Sequence, residues 1–502
     1  MSQPTQPKNS SGAAPATGGR GFFGHPMGLA NLAGVEMWER FSFYGMQSLL
    51  IAYIILATGE GGLGMTKGEA SSIVGAYGGW VYLAAVLGSW GADRLFGPER
   101  TLVVGASIIM AGHIWLTFMP GLTGLIGGLV LVGLGSGTLK ATTSTVLGSM
   151  YALEDRRRDA GFSIYYMGVN IGAFLGQTVT VLLSQSAGIH WGFALAAIGM
   201  AIGLAQYLSL RKHTRNEVTS RVPNPLKRGQ AVKYFGGAAI AVAIIVVLFA
   251  TKILTAANLS GWMTISVVAA TLLLFTIMMT SREITTEERR HVKAFVPLFI
   301  AGAVFWSLFQ QQFTVVPLYA ENRLDLNIFG WDMPFNLVNN FQPLFVIILA
   351  GVFAAMWSKL GDRQPSTPVK YAIGTVLMGA AFLAFLPFTG MANGTVPLIM
   401  MIVVLLIFTL AELSISPIGQ SLATKLAPGK FQSQMVALYF LTISLGSAAA
   451  GYLGQLYPSA DSAGPTLTEN TFFLLIGGSA VAVGLVLFLV RKPILKLMDP
   501  VL

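Results

Sequence analysis

Long apolar runs recur along the chain, separated by short polar breaks. They lie near residues 28–57, 69–92, 101–119, 122–150, 160–185, 190–210, 232–255, 261–281, 294–320, 334–358, 371–388, 396–424, 433–457 and 469–490. A helix crosses a bilayer with about 20 mostly apolar residues. The pattern therefore predicts fourteen transmembrane helices. Runs longer than the minimum imply tilt, or ends that project into water. They are too continuous for barrel strands, which alternate over about ten residues. The expected fold class is an all-α polytopic membrane protein.

One polar stretch interrupts the series. Residues 211–233 carry seven basic residues together with Pro223 and Pro225, and they divide six spans from eight. Two halves with an insertion are expected. The expected division is a disordered tail at 1–20, a six-helix bundle at 21–212, a linker with two extra helices at 213–290, and a second six-helix bundle at 291–502. Spans 232–255 and 261–281 contain few polar residues and read as a lipid-facing pair.

Basic residues set the orientation. With the amino terminus inside and the sides alternating, inner segments hold 26 of the 31 Lys and Arg residues. Outer segments hold Lys67, Lys252 and Arg323, and Arg40 and Lys140 fall within spans. Both termini are therefore expected in the cytoplasm. The net charge of +10 becomes a sign of topology. A nucleic-acid binder would cluster its bases on a polar face. Here only 10% of residues are charged, against about 25% in soluble proteins.

The chemistry of enzymes is poorly supplied. The chain has no cysteine, so disulfides, thiolate metal sites and thiol nucleophiles are excluded. Its five histidines (His25, His113, His190, His213 and His291) stand apart, and no HExxH or GxSxG sequence occurs. No cofactor or metal is expected. The first 20 residues lack the apolar run of a secretory signal. The longest polar stretch, about 23 residues, is too short for the signalling domain a membrane sensor would need.

Five charges stand out away from the ends of the spans: Glu36, Glu39, Arg40, Lys140 and Glu412. Each costs roughly 2.5–3.5 kcal/mol near the bilayer centre, and a transport pathway is the usual reason to keep one. At about 100° per residue, Arg40 lies about 40° round the helix from Glu36, and Gln47 about 20°. Tyr44 joins that stripe. Lys140 follows Gly133, Gly135 and Gly137, which allow close helix approach. Glu412 sits in the second half within an apolar run. Lys140 and Glu412 are therefore placed to pair across a central cavity and to part when the halves separate.

Four segments around these residues resemble the proton-coupled oligopeptide transporters of the major facilitator superfamily. They are Glu36-x-x-Glu39-Arg40-Phe-x-Phe43-Tyr44-Gly, the segment from Gly88 to Arg100, the segment from Arg158 to Gly172 containing Tyr165, Tyr166 and Asn170, and Glu412-Leu-Ser-Ile-Ser416-Pro417. The resemblance implies the major facilitator fold, two six-helix bundles plus two extra helices. It implies a symporter that imports di- and tripeptides across a bacterial inner membrane by alternating access. Arg40 and Lys140 would take the peptide carboxylate, Glu412 and Asn170 its amino end, and Tyr44, Tyr82 and Tyr439 would line the pocket. Glu36 and Glu39 would couple protons through Arg40. The implied partners are short peptides, protons and the lipid bilayer, with the chain acting as a monomer. Arg156, Arg157 and Arg158 read as topology anchors, and Asp93, Arg94 and Arg100 as holders of helix contacts on the inner side.

The chain also departs from the family it resembles. Many members carry Arg where this chain has Gln47 and an acid where it has Gln310. These often form an ion pair at the outer gate. Losing both partners together avoids stranding one buried charge, which costs about 3–5 kcal/mol. Lys140 is followed by Ala-Thr-Thr-Ser where Pro-Asn-Val-Ser is common, and Gln342 stands before Pro343 where many have Asn. Both changes touch the pocket. Transport of another small zwitterion or anion, or peptide sensing without transport, is the rival expectation.

Overall fold

The computed structural model describes residues 21–151, 157–458 and 467–499. The expected tail at 1–20 and Arg156 lie outside the described residues. Among the described residues fourteen long helices follow one another. The first half holds α1 (Met27–Ile55), α2 (Lys67–Gly91), α3 (Pro98–Phe118), α4 (Gly121–Gly148), α5 (Arg158–Ala187) and α6 (Ile189–Ser209). Next come α7 (Arg228–Ala250) and α8 (Leu259–Thr280). The second half holds α9 (Thr286–Phe309), α10 (Phe341–Leu360), α11 (Thr367–Leu383), α12 (Leu398–Lys425), α13 (Gln432–Gln455) and α14 (Glu469–Leu489). Thirteen of these are apolar enough to cross a membrane on composition alone. The other, α1, carries the Glu36–Glu39–Arg40 cluster and is buried against its neighbours.

Helix ends follow their local chemistry. Thr66 and Glu69 form a reciprocal cap on α2, as Thr285 and Glu288 do on α9. Each satisfies backbone donors that a helix start leaves free. Pro98 opens α3 after Gly97, whose φ of 79° suits a residue without a side chain. The expected span 294–320 is broken. Helix α9 gives way to a tight turn over Gln310–Phe313, and a separate short helix follows at Val315–Arg323. The expected span 334–358 likewise begins as a tight turn over Phe335–Asn340.

Within the first half α1 packs against α5 and α6, α3 against α4 and α6, and α2 against α4. The glycines of α4 do what their spacing suggests. A Cβ at Gly135 would lie 2.6 Å from the Gly105 carbonyl oxygen, and one at Gly137 would lie 2.5 Å from that of Val81. In the second half α11 packs against α12 and α14, and α9 against α11 and α13. The halves meet along two seams, α2 with α13 and α5 with α10. In the first seam a Cβ at Gly75 would come within 2.3 Å of Gly451 Cα. Small residues let membrane helices approach this closely.

The extra helices divide their labour. The apolar stretch of α7 has no buried residue, as expected of a lipid-facing helix. Helix α8 corrects that expectation. It packs on both α2 and α13 and buries Ser260, Val267, Thr271 and Met278 along one face. Its other faces remain apolar and exposed. The linker is also held. The Asn224 and Leu226 amides donate to the carbonyls of Asp93 and Arg94, at 2.9 and 3.1 Å. Glu99 binds the Arg211 guanidinium through both oxygens.

Two faces can be distinguished by chain order. The near face carries the starts of α1 and α5, the end of α4, and the linker. The far face carries the loops after α1 and α9. Ties between the halves lie towards the far face. Lys67 Nζ is 3.0 Å from Glu321 Oε2 and donates to Asn322 Oδ1 at 3.3 Å. Asn340 Nδ2, just before α10, donates to Thr178 Oγ1 on α5 at 2.8 Å. Nearer the middle, Ser444 Oγ on α13 donates to the Gly79 carbonyl on α2. Within the second half, Arg323 bonds Asn393, Phe388 and Thr389 and pairs with Glu469. Tyr457 donates to Glu469 at 2.6 Å. Burial, reinforced by that carboxylate, holds the Tyr457 phenol well above its ordinary range, so it keeps the proton it donates.

Candidate functional site

A cavity of about 280 Å³ lies between the halves. Helices α1, α2, α4 and α5 supply one wall. The other wall comes from α9, the turn after it, and α10, α12 and α13. Eleven of the twelve candidate residues read from the sequence line it: Glu36, Arg40, Tyr44, Gln47, Tyr82, Lys140, Asn170, Gln310, Gln342, Glu412 and Tyr439. Glu39 is the exception. It is fully buried behind Arg40.

The cationic end belongs to the first half. Arg40 Nη2 and Nε donate to Glu36 Oε1 at 2.7 and 2.9 Å, and Nε lies 3.0 Å from Glu39 Oε2. The i, i+4 spacing of Glu36 and Arg40 predicts the first contact. Ser136 on α4 donates to Glu39 Oε1. Two buried carboxylates thus converge on one guanidinium, and a buried charge needs such partners. Among the described residues Arg40 Nη1 has no protein partner, so one donor group remains for a ligand. Lys140 Nζ stands 4.7 Å from the Phe43 ring centre and 5.0 Å from that of Tyr82. The Arg40 guanidinium lies 5.9 Å from the same Phe43 ring. Such rings stabilise cations electrostatically without neutralising them.

The anionic end belongs to the second half. Glu412 on α12 accepts from Gln342 Nε2 at 2.5 Å. Gln342 is positioned by the start of α10, where Pro343 fits because the first turn of a helix has no intrahelical partner for its N–H. Asn170 Nδ2 donates to the Tyr166 carbonyl at 2.9 Å, which commits its amide nitrogen to the helix. Tyr44 and Phe313 approach across the cavity, with ring centres 6.2 Å apart.

One expected pairing is not made in this conformation. Among the described residues Lys140 and Glu412 form no ion pair with each other. Lys140 rests on aromatic faces and Glu412 takes Gln342 instead. Among the described residues the two amides that replace the family's outer-gate ion pair, Gln47 and Gln310, are not bonded to each other. Gln310 Nε2 donates to Ser447 Oγ at 2.8 Å, and Gln47 Oε1 is buried with no partner among the described residues.

Some lining residues were not marked by the sequence. Phe43 sits between the two cations, although it was visible only as part of a motif. Gln177 and Ala173 continue the Tyr166–Asn170 stripe of α5 at helical spacing, which was the available signal. Trp306, Phe309, Gln312 and Phe313 enter because α9 ends early and turns.

A cavity with fixed charges of opposite sign at its two ends, set between two helical halves, defines a transporter of the major facilitator type. Residues 99–470 match the POT family, PTR2. The uncharacterized transporter YclF of Bacillus subtilis is 37% identical, over 96% of this chain and 97% of its own. The di-/tripeptide transporter of Lactococcus lactis subsp. cremoris is 36% identical, over 96% and 98%. The crystal structure of a mutant of peptide transporter POT in complex with alafosfalin superposes with a TM-score of 0.88. It is 39% identical and covers 96% of this chain and 97% of that one. The protein belongs to the POT family of proton-coupled oligopeptide transporters, and is a multi-pass membrane protein.

Proposed function

We propose that the protein imports di- and tripeptides together with protons by alternating access. The observation that carries this reading is the polarity of the cavity. Arg40 and Lys140 stand on one half, and Glu412 with Gln342 on the other. A zwitterionic peptide needs cations at its carboxylate and an anion at its ammonium. Fixed charges in a low-dielectric cavity act strongly on both. A bound peptide would bridge the halves, with Asn170 offering its oxygen beside Glu412 to the amino end. Tyr44, Tyr82 and Tyr439 would flank the backbone.

Proton coupling would run through the Glu36–Glu39–Arg40 triad. With both acids ionised, Arg40 is held by two carboxylates and competes poorly for a peptide carboxylate. Protonation of either acid removes one claim on the guanidinium and frees it for substrate. Proton and peptide would then load together. The division into 21–212, 213–290 and 291–502 fits this scheme, since the two outer units supply opposite ends of the cavity. The near face would be cytoplasmic, placing 26 basic residues on the inner side of a bacterial membrane.

Purified protein in liposomes with an inward proton gradient should accumulate labelled dialanine, and collapsing the gradient should stop accumulation. Uptake indifferent to the gradient would reject proton coupling. Specific binding without uptake would instead favour a sensor.

A further inference from the structure

Helix α8 starts at the far face, wedged where α2 and α13 meet. Ser260, in its first turn, is fully buried. Ser72 Oγ on α2 donates to Ser260 Oγ at 3.2 Å, and the Ser260 amide donates back to Ser72 Oγ at 3.1 Å. Gln455 Nε2, at the end of α13, donates to Ser260 Oγ at 3.0 Å. One residue of the insertion is therefore hydrogen-bonded to both halves at once. Its surroundings hold it there. A Cβ at Gly451 of α13 would lie 3.1 Å from Ser260 Cβ, and one at Gly79 of α2 would lie 2.9 Å from Met263 Cγ. The buried face continues through Val267, Thr271 and Met278.

Helices α2 and α13 belong to opposite halves. Opening the far face must part them, and Ser260 cannot then keep both Ser72 and Gln455. In the closed state Ser260 is fully buried and bonded to both neighbours, and opening loses one of those bonds, so the tie adds about one neutral hydrogen bond to the closed far face. We propose that α8 is a working part of the far-face closure: Ser260 ties the far ends of α2 and α13, and the tie breaks each time that face opens. The proposal rests on the alternating-access reading above. It gives the insertion a role in the conformational cycle beyond filling lipid-facing surface.

The absence of cysteine makes the test direct, since two introduced cysteines carry both labels. Spin labels at Glu60→Cys and Trp331→Cys, both at exposed far-face positions, report the distance between halves by pulsed electron resonance in liposomes. In that background Ser260→Ala should raise the far-face-open population about threefold, and at most about tenfold, as expected for one neutral hydrogen bond. Gln455→Leu, which is only part-buried and leaves Ser260 in place, should shift it the same way. Ser266→Ala, on the exposed side of α8, should not. Unchanged distance populations in folded Ser260→Ala and Gln455→Leu would overturn the proposal. If Ser260→Ala does not fold, Gln455→Leu decides alone. If peptide and acid fail to move the distances in the otherwise unsubstituted labelled protein, alternating access itself is what fails.

Discussion

At the scale of single residues, the site rests on a few charges that the membrane makes costly. Glu412 is held by Gln342 alone among the described side chains, so its charge is available to a ligand. Glu412→Gln should lower dialanine uptake about 30-fold or more, because truncating one partner of a buried, hydrogen-bonded charge pair typically costs that much. Wild-type uptake in that variant, measured in liposomes, would remove Glu412 from the mechanism. The amides Gln47 and Gln310 support a second expectation. Gln47→Arg alone should impair uptake by burying an unpaired cation. Adding Gln310→Glu should restore part of it, since the pair leaves no stranded charge. Additive defects would show that the two positions do not communicate. The charged residues were legible in the sequence because a mid-span charge is conspicuous. Phe43 and Gln177 were not, because phenylalanines are common in such helices and a neutral amide costs too little to stand out.

At the scale of helices, the α2–α13 seam depends on the absence of side chains. Gly75→Val would drive a branched side chain into the Gly451 backbone, where a Cβ already falls at 2.3 Å. Overpacking of this kind costs about 1–3 kcal/mol. The variant should melt several degrees lower in detergent, whereas Gly236→Val on exposed α7 should leave the melting point nearly unchanged, since nothing lies near that position. An equal loss in both would show that valine in the helix, rather than the seam, sets the effect. Spans were legible because twenty apolar residues have few other fates. The end of α9 was not. Gln310–Gln311–Gln312 looks like a polar patch within a long run, and only packing shows that the helix stops there. The role of α8 was hidden for a related reason. Serine and threonine can bond their own helix's carbonyls, so their presence does not advertise a partner.

At the scale of the molecule, the span count and the polar linker pointed to a two-bundle arrangement, and the helices pack accordingly. The conformation was not legible. A sequence that serves alternating access must hold the contacts of every state in one string. Lys140 near Glu412 and Lys140 on Phe43 are equally compatible with it. The structure selects one such state, tied towards the far face by Lys67 and Asn340 and nearer the middle by Ser444.

The contrast between α7 and α8 has a further meaning. If α8 is the useful helix, it must begin at the far face, yet the linker that leads to it is pinned at the near face by Asp93 and Arg94. A single inserted crossing would also turn the whole second bundle upside down. Inserted spans must therefore come in even numbers. Helix α7, which buries none of its apolar stretch, is the return stroke that parity demands. Apart from Tyr234, whose ring meets Trp90 of α2, its sequence is then answerable to the bilayer, so it is free to drift as long as it stays long and greasy enough to cross.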